Sequence, residues 1–220
     1  MKVILFGATG MVGQGVLREC LLSGEVSHVL AVGRTTTGQQ NAKLREIALP
    51  DLTNLAAIES ELTGCDASFF CLGVSSAGMS EEKYTRVTHD LTLSIARTLL
   101  RLNPTMTFIY VSGTGTDSSE KGRTMWARVK GRTENELLAL GFRAAYMFRP
   151  GYIQPLDGIK TKTPLYAFIY AVLAPLYPLF RSIAPQYVTT TRQVGKAMIA
   201  AALRGVSKAH LENSDINLLA

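Results

Sequence analysis

The first thirteen residues constrain this chain more than any later stretch: an apolar run, Val3-Ile4-Leu5-Phe6, passes without a break into Gly7-Ala8-Thr9-Gly10-Met11-Val12-Gly13. A short apolar run bounded by glycine reads as a buried strand. The residues that follow, Val12, Val16, Leu17, Cys20 and Leu21, carry the spacing of an amphipathic helix. Glycines between the two let the chain turn tightly, bring bare backbone close to a ligand and start the helix against the sheet. The N-terminus of such a helix offers unpaired N–H groups and a partial positive charge. A bound diphosphate is therefore the expected ligand of Gly7, Thr9, Gly10, Met11, Val12 and Gly13.

The same alternation continues downstream. Strands are predicted at residues 28–32, 44–49, 65–72, 106–111 and 144–148, and a short one at 209–211. Helical periodicity runs over 81–102, through Tyr84, Val87, Leu91, Ile95, Leu99 and Leu102, and Asn103-Pro104 stops it. Further helices are predicted at 126–140, ended by Gly141, and at 189–203. Strands alternating with helices argue an α/β fold with a doubly wound parallel sheet. At 220 residues with 47% hydrophobic content, the chain suits one well-buried domain and is short for two. Residues 1–220 are thus expected to form a single dinucleotide-binding domain, with 151–190 as a small substrate-side region where the alternation lapses.

Net charge is +6, which suits either nucleic acid or a polyanionic cofactor. The basic residues are mostly scattered, and neither a helix-turn-helix nor an aromatic-basic strand signature is present, so no nucleic-acid partner is expected. Lys121, Arg123, Arg128, Lys130 and Arg132 form one dense patch, read as a solvated helix flank or as an attractor of phosphate. The three cysteines, Cys20, Cys65 and Cys71, lie in apolar stretches without C-x-x-C spacing and read as buried small hydrophobes in a reducing compartment. No signal-peptide pattern opens the chain, which predicts a cytoplasmic protein. The uncharged stretch 163–180 is interrupted by Pro175 and Pro178. Its readings are a helix over the substrate pocket, a homodimer face or peripheral membrane contact.

The glycine spacing G-x-x-G-x-x-G resembles that of the extended and atypical short-chain dehydrogenase/reductases, the epimerase-like proteins among them. Over about residues 1–155 the order of motifs is similar to the small single-domain branches, such as the Tat-interacting-protein branch and the nitrogen-regulator-like NADP sensors. Arg34, just past the second strand, stands where the adenosine ribose lies. An acid there would accept both ribose hydroxyls, whereas an arginine suits the 2′-phosphate of NADP. Such a charge-assisted contact contributes roughly 1.5–3 kcal/mol, about ten- to a hundredfold in preference over NAD. The resemblance further implies that Asp51, with Leu52, approaches the adenine amine, although an acid before a helix also reads as a cap. Leu72-Gly73 would pass behind the adenosine, and Pro150, in Phe148-Arg149-Pro150-Gly151, would flank the nicotinamide.

In the catalytic set, the resemblance places a serine at Ser112 and a lysine at Lys130, with a tyrosine four residues before the lysine. That position is Trp126. In the family the phenol moves the proton, the lysine lowers its pKa and binds the nicotinamide ribose, and the serine holds the carbonyl oxygen. An indole N–H donates a hydrogen bond but is no acid near neutral pH. Tyr84, Tyr110, Tyr146 and Tyr152 are other phenols within reach of the motif order. His89-Asp90 reads as structural, since adjacent helix residues diverge. Two functions follow: an NADP-dependent oxidoreductase on a small carbonyl substrate, or a catalytically silent NADP(H)-sensing protein that reports to a protein partner.

Overall fold

The computed structural model describes residues 1–160, 177 and 182–220. The buried run of the N-terminus forms β1 (Lys2–Phe6), and the glycine turn leads into α1 (Met11–Leu22). Then come β2 (His28–Gly33), β3 (Leu44–Ala48), the short α2 (Glu59–Leu62) and β4 (Ala67–Phe70). The second half holds α3 (Glu81–Thr85), α4 (Leu91–Leu102), β5 (Thr107–Val111), α5 (Met125–Ala139) and β6 (Ala144–Arg149). It closes with β7 (Tyr152–Gln154), β8 (Val188–Thr190), α6 (Thr191–Arg204), β9 (His210–Glu212) and α7 (Asn213–Leu219).

Seven strands pair in the order β3-β2-β1-β4-β5-β6-β9, every neighbour parallel. This is the Rossmann-like α/β sheet that the alternation predicts. Side chains alternate across the sheet: Val3 and Leu5 of β1 join Val16, Leu17, Val194 and Met198 of α1 and α6 on one face. Ile4 and Phe6 join Leu93, Leu99 and Leu137 of α4 and α5 on the other. Phe6, Phe70 and Phe108 run across that second face with ring centroids 5.6 and 5.9 Å apart. The strand order reverses at β1, with β2 on one side and β4 on the other, and the crevice beyond the carboxyl ends of β1 and β4 is where such sheets bind ligands.

Two of the predicted helices depart from the sequence reading. The helix predicted over 81–102 is interrupted by a π turn at Arg86–Asp90 between α3 and α4. That wider turn breaks the helical phase, and His89, expected to diverge from Asp90, instead lies 2.7 Å from it through Nδ1. Its Nε2 meets Glu136 of α5 at 2.9 Å, so the buried imidazole pins the π turn to α5. The helix predicted from 189 begins at Thr191, because Thr189 and Thr190 pair in parallel with Ile153 and Gln154. The Thr190 hydroxyl then caps α6 by accepting from the Gln193 N–H at 3.1 Å. Of the apolar stretch 163–180, all but Tyr177 lies outside the described residues. No helix of the described residues is long and apolar enough to cross a membrane.

Candidate functional site

The glycine turn is shaped by close backbone approach. Gly7 takes φ +84°, and a Cβ there would sit 2.7 Å from the Cys71 carbonyl carbon at the end of β4. A Cβ on Gly13 would lie 2.0 Å from the Gly7 oxygen, so only glycine lets α1 start this near the turn. Gly10, the N-cap, makes no side-chain cap, and no acidic residue stands in the first turn. The amides at this end therefore meet neither a capping oxygen nor a repelling carboxylate, which is the donor set a diphosphate requires. Gly10, Met11 and Val12 line a cleft of about 600 Å³ that passes Arg34, Leu72 and Gly73 and ends at Ser112, Lys130 and Pro150. Gly7 and Thr9 also line it, whereas Gly13 is buried behind. This geometry fits a dinucleotide lying across the sheet.

At the β2 end of the cleft, Arg34 and Thr35 line a cavity of about 400 Å³ with Val32, Glu46 and Leu72. Arg34 makes no ion pair among the described residues. Asp51 and Leu52 are not brought to this cavity. The Asp51 carboxylate accepts from the Thr53 hydroxyl at 2.6 Å and from the Thr53 N–H at 2.8 Å, and these bonds hold it below the usual carboxylate range. Leu52 is buried in the core with Leu55 and Ile58. Asp51 thus closes a local turn on Thr53 and caps no helix, since the helical turn that follows, Ala56–Ile58, has Leu55 at its N-cap.

At the far end, β5 and β6 bring Ser112 and Pro150 side by side, and α5 presents Lys130. The Lys130 ammonium donates to the Ser112 carbonyl oxygen. Burial pushes Lys130 down to about 8, against the opposing pull of the Glu134 carboxylate. Trp126 lines a recess here with Tyr84, Thr114, Ser112 and Lys130. Of the other phenols, Tyr110 is fully buried, and burial raises its pKa. Tyr146 accepts from the Val206 N–H at 2.9 Å, and Tyr152 meets Gln154 at 2.9 Å. Tyr84, 2% exposed, is the one of the four that lines the recess with Lys130. Cys71 also borders the cleft, and its thiol, like that of Cys20, is raised by burial and so inert.

The Ser112 side chain turns inward. Its hydroxyl lies 2.5 Å from Glu134 Oε1 and 3.1 Å from the Phe148 carbonyl oxygen. Glu134 is fully buried and pairs with Arg149, whose Nε reaches it at 3.1 Å and whose second nitrogen bonds the other oxygen. Arg149 also meets Ser118 Oγ at 2.5 Å and Glu212 at 3.3 Å. The predicted basic patch disperses: Arg128 pairs with Glu81 at 2.6 Å, while Lys130 enters the cleft. Sequence reasoning missed Glu134 and Glu46. The first carries a signal, lying four residues past Lys130 on one helix face; the second carries none.

Residues 3–123 match the family described as NAD dependent epimerase/dehydratase. Similar curated proteins include "Protein fmp52, mitochondrial" of Emericella nidulans, 29% identical over 213 residues that cover 94% of this chain and 89% of that protein. "Protein fmp52-1, mitochondrial" of Aspergillus terreus is 32% identical over 158 residues, 69% of this chain and 66% of its own. Both are named mitochondrial, which overturns the expectation of a cytoplasmic protein. Among solved structures, WbmF of Bordetella bronchiseptica in complex with NAD+ superposes with a TM-score of 0.69 at 14% identity, over 99% of this chain and 76% of that one. MoeE5 in complex with UDP-glucose and NAD gives 0.67 at 17% identity, over 96% and 74%. Its fold is shared with those structures, and with the family match running from β1 past Ser112, the chain belongs to the NAD dependent epimerase/dehydratase family.

Proposed function

We propose that this chain binds NADP(H) in the cleft and acts as a short-chain-type oxidoreductase on a small carbonyl substrate. The observation that carries the reading is one continuous cleft, with the uncapped α1 N-terminus and Arg34 at one end and Lys130 beside Ser112 at the other. The α1 amides hold the diphosphate, and Arg34 takes the 2′-phosphate. Leu72 and Gly73 back the adenosine, Lys130 binds the nicotinamide ribose, and Pro150 lies along the ring. When bound, the nicotinamide supplies or accepts the hydride. Residues 1–220 then serve as one dinucleotide-binding domain, with the substrate side drawn from 151–190. The proton has to come from water or from the Tyr84 phenol, because Trp126 has none to release near neutral pH. The names of the relatives support a mitochondrial setting.

Calorimetric titration with NADP and NAD tests this. NADP is expected to bind about ten- to a hundredfold more tightly than NAD, and Arg34→Asp to reverse the order. Equal affinities would remove the role of Arg34, and no binding of either would remove the reading. A second reading, a silent NADP(H) sensor with a protein partner, is favoured by the inward turn of the Ser112 hydroxyl and by Trp126 at the phenol position. It predicts binding of NADPH without its consumption across a panel of small aldehydes and ketones.

A further inference from the structure

Glu46 stands on β3 opposite Ala31 of β2 and lines the same cavity as Arg34 and Thr35. A carboxylate beside an arginine ordinarily pairs with it, and a free carboxylate in an anion pocket would repel the anion. Neither applies here. Glu46 Oε1 accepts from the Thr37 N–H at 2.7 Å, and Oε2 accepts from the Gly38 N–H at 3.2 Å. Both oxygens thus hold backbone, their charge is offset by two amide dipoles, and the Arg34 guanidinium makes no ion pair among the described residues. The turn is tied again where the Thr37 hydroxyl accepts from the Gln39 N–H at 3.2 Å, and at its start, where the Gly33 carbonyl accepts from the Leu49 N–H at 2.8 Å.

We infer that Glu46 is a positioning residue for dinucleotide choice: by clamping Thr37 and Gly38 it fixes the turn that presents Arg34 and Thr35 to a 2′-phosphate. The inference rests on the NADP reading given above. Without the clamp, the turn must be ordered when the ligand binds, which weakens binding by the entropy of that ordering. The loss falls on NADP, because NAD has no phosphate for Arg34 to hold.

The test is calorimetric titration of the wild type, Glu46→Gln and Glu46→Ala with NADP and with NAD, beside amide exchange at Thr37 and Gly38 in the free proteins. NADP is expected to bind about tenfold more weakly to Glu46→Ala and less so to Glu46→Gln, with NAD within about twofold and faster exchange at both amides. Tighter NADP binding by Glu46→Gln would mean that the carboxylate acts as a repelling charge, and equal losses for both dinucleotides would mean a general defect; either overturns the inference. A selective wild type whose variants keep the selectivity removes the role of Glu46 alone. A wild type without selectivity removes the NADP reading and this inference together.

Discussion

The hydroxyl of Ser112, a residue that lines the cleft, lies 2.5 Å from a carboxylate oxygen of the fully buried Glu134. A serine has one proton. That proton goes to Glu134 Oε1, while Arg149 bonds both oxygens of the same carboxylate. Donation to a substrate oxygen requires the Ser112 side chain to rotate away, leaving Arg149 to satisfy Glu134.

Glu134→Ala is expected to destabilise the fold by about 3–5 kcal/mol, because it leaves the Arg149 guanidinium, 12% exposed, without its buried counterion. Glu134→Gln keeps the shape and an acceptor, and so should cost less. Chemical denaturation of both variants measures this. A loss below about 1 kcal/mol in the alanine variant would show that Glu212 and Ser118 suffice for Arg149.

Gly13→Ala and Gly10→Ala separate packing from binding. A Cβ on Gly13 meets the Gly7 oxygen at 2.0 Å and forces α1 off the turn, at about 1–3 kcal/mol and with loss of dinucleotide affinity. A Cβ on Gly10 stands 3.4 Å from the same oxygen, a contact the backbone absorbs with little movement, and Gly10 faces the cleft. This variant should keep its melting temperature and lose affinity. Equal melting temperatures for the two variants would contradict the packing role of Gly13.

The sheet was legible because β1, β4 and β5 are buried on both faces and are mostly apolar, and because Gly7 ends β1 while Asn103 and Gly141 follow the helices before β5 and β6. The placement of Arg34, Ser112 and Lys130 along one cleft followed from strand order. What spacing does not encode is side-chain direction. Asp51 turns to Thr53, and Ser112 turns to Glu134, through contacts that depend on the local backbone and on a residue 22 positions away. The π turn at Arg86–Asp90 was hidden because apolar periodicity continues on both sides of it, and Glu46 because its partners are backbone amides of a loop. Localisation was misjudged since a sequence pattern for cytoplasmic residence does not exist.

Trp126→Tyr places a phenol in the recess that Lys130 lines. An acid positioned there contributes about 10²–10⁴ in rate, so carbonyl-dependent NADPH consumption should rise within that range, and the rise should vanish on adding Lys130→Met. Unchanged consumption in the single variant would show that position 126 does not face the reacting atoms.

Lys130 supplies a pH signature independent of turnover. Its ordinary value near 10.5 falls to about 8 in the fold, since burial disfavours the ammonium. Between those values the unfolded chain binds more protons than the folded one, so Lys130 makes the fold gain stability as pH rises through the window, and burdens it most below about 8. Lys130→Met removes that contribution. Denaturation midpoints of wild type and variant, compared from pH 7 to 10, should differ most at the acid end and converge toward the alkaline end. A difference independent of pH would place the Lys130 amine at its ordinary value. A bound diphosphate adds negative charge to the cleft and favours the ammonium, so repeating the series with saturating NADP should move the window upward.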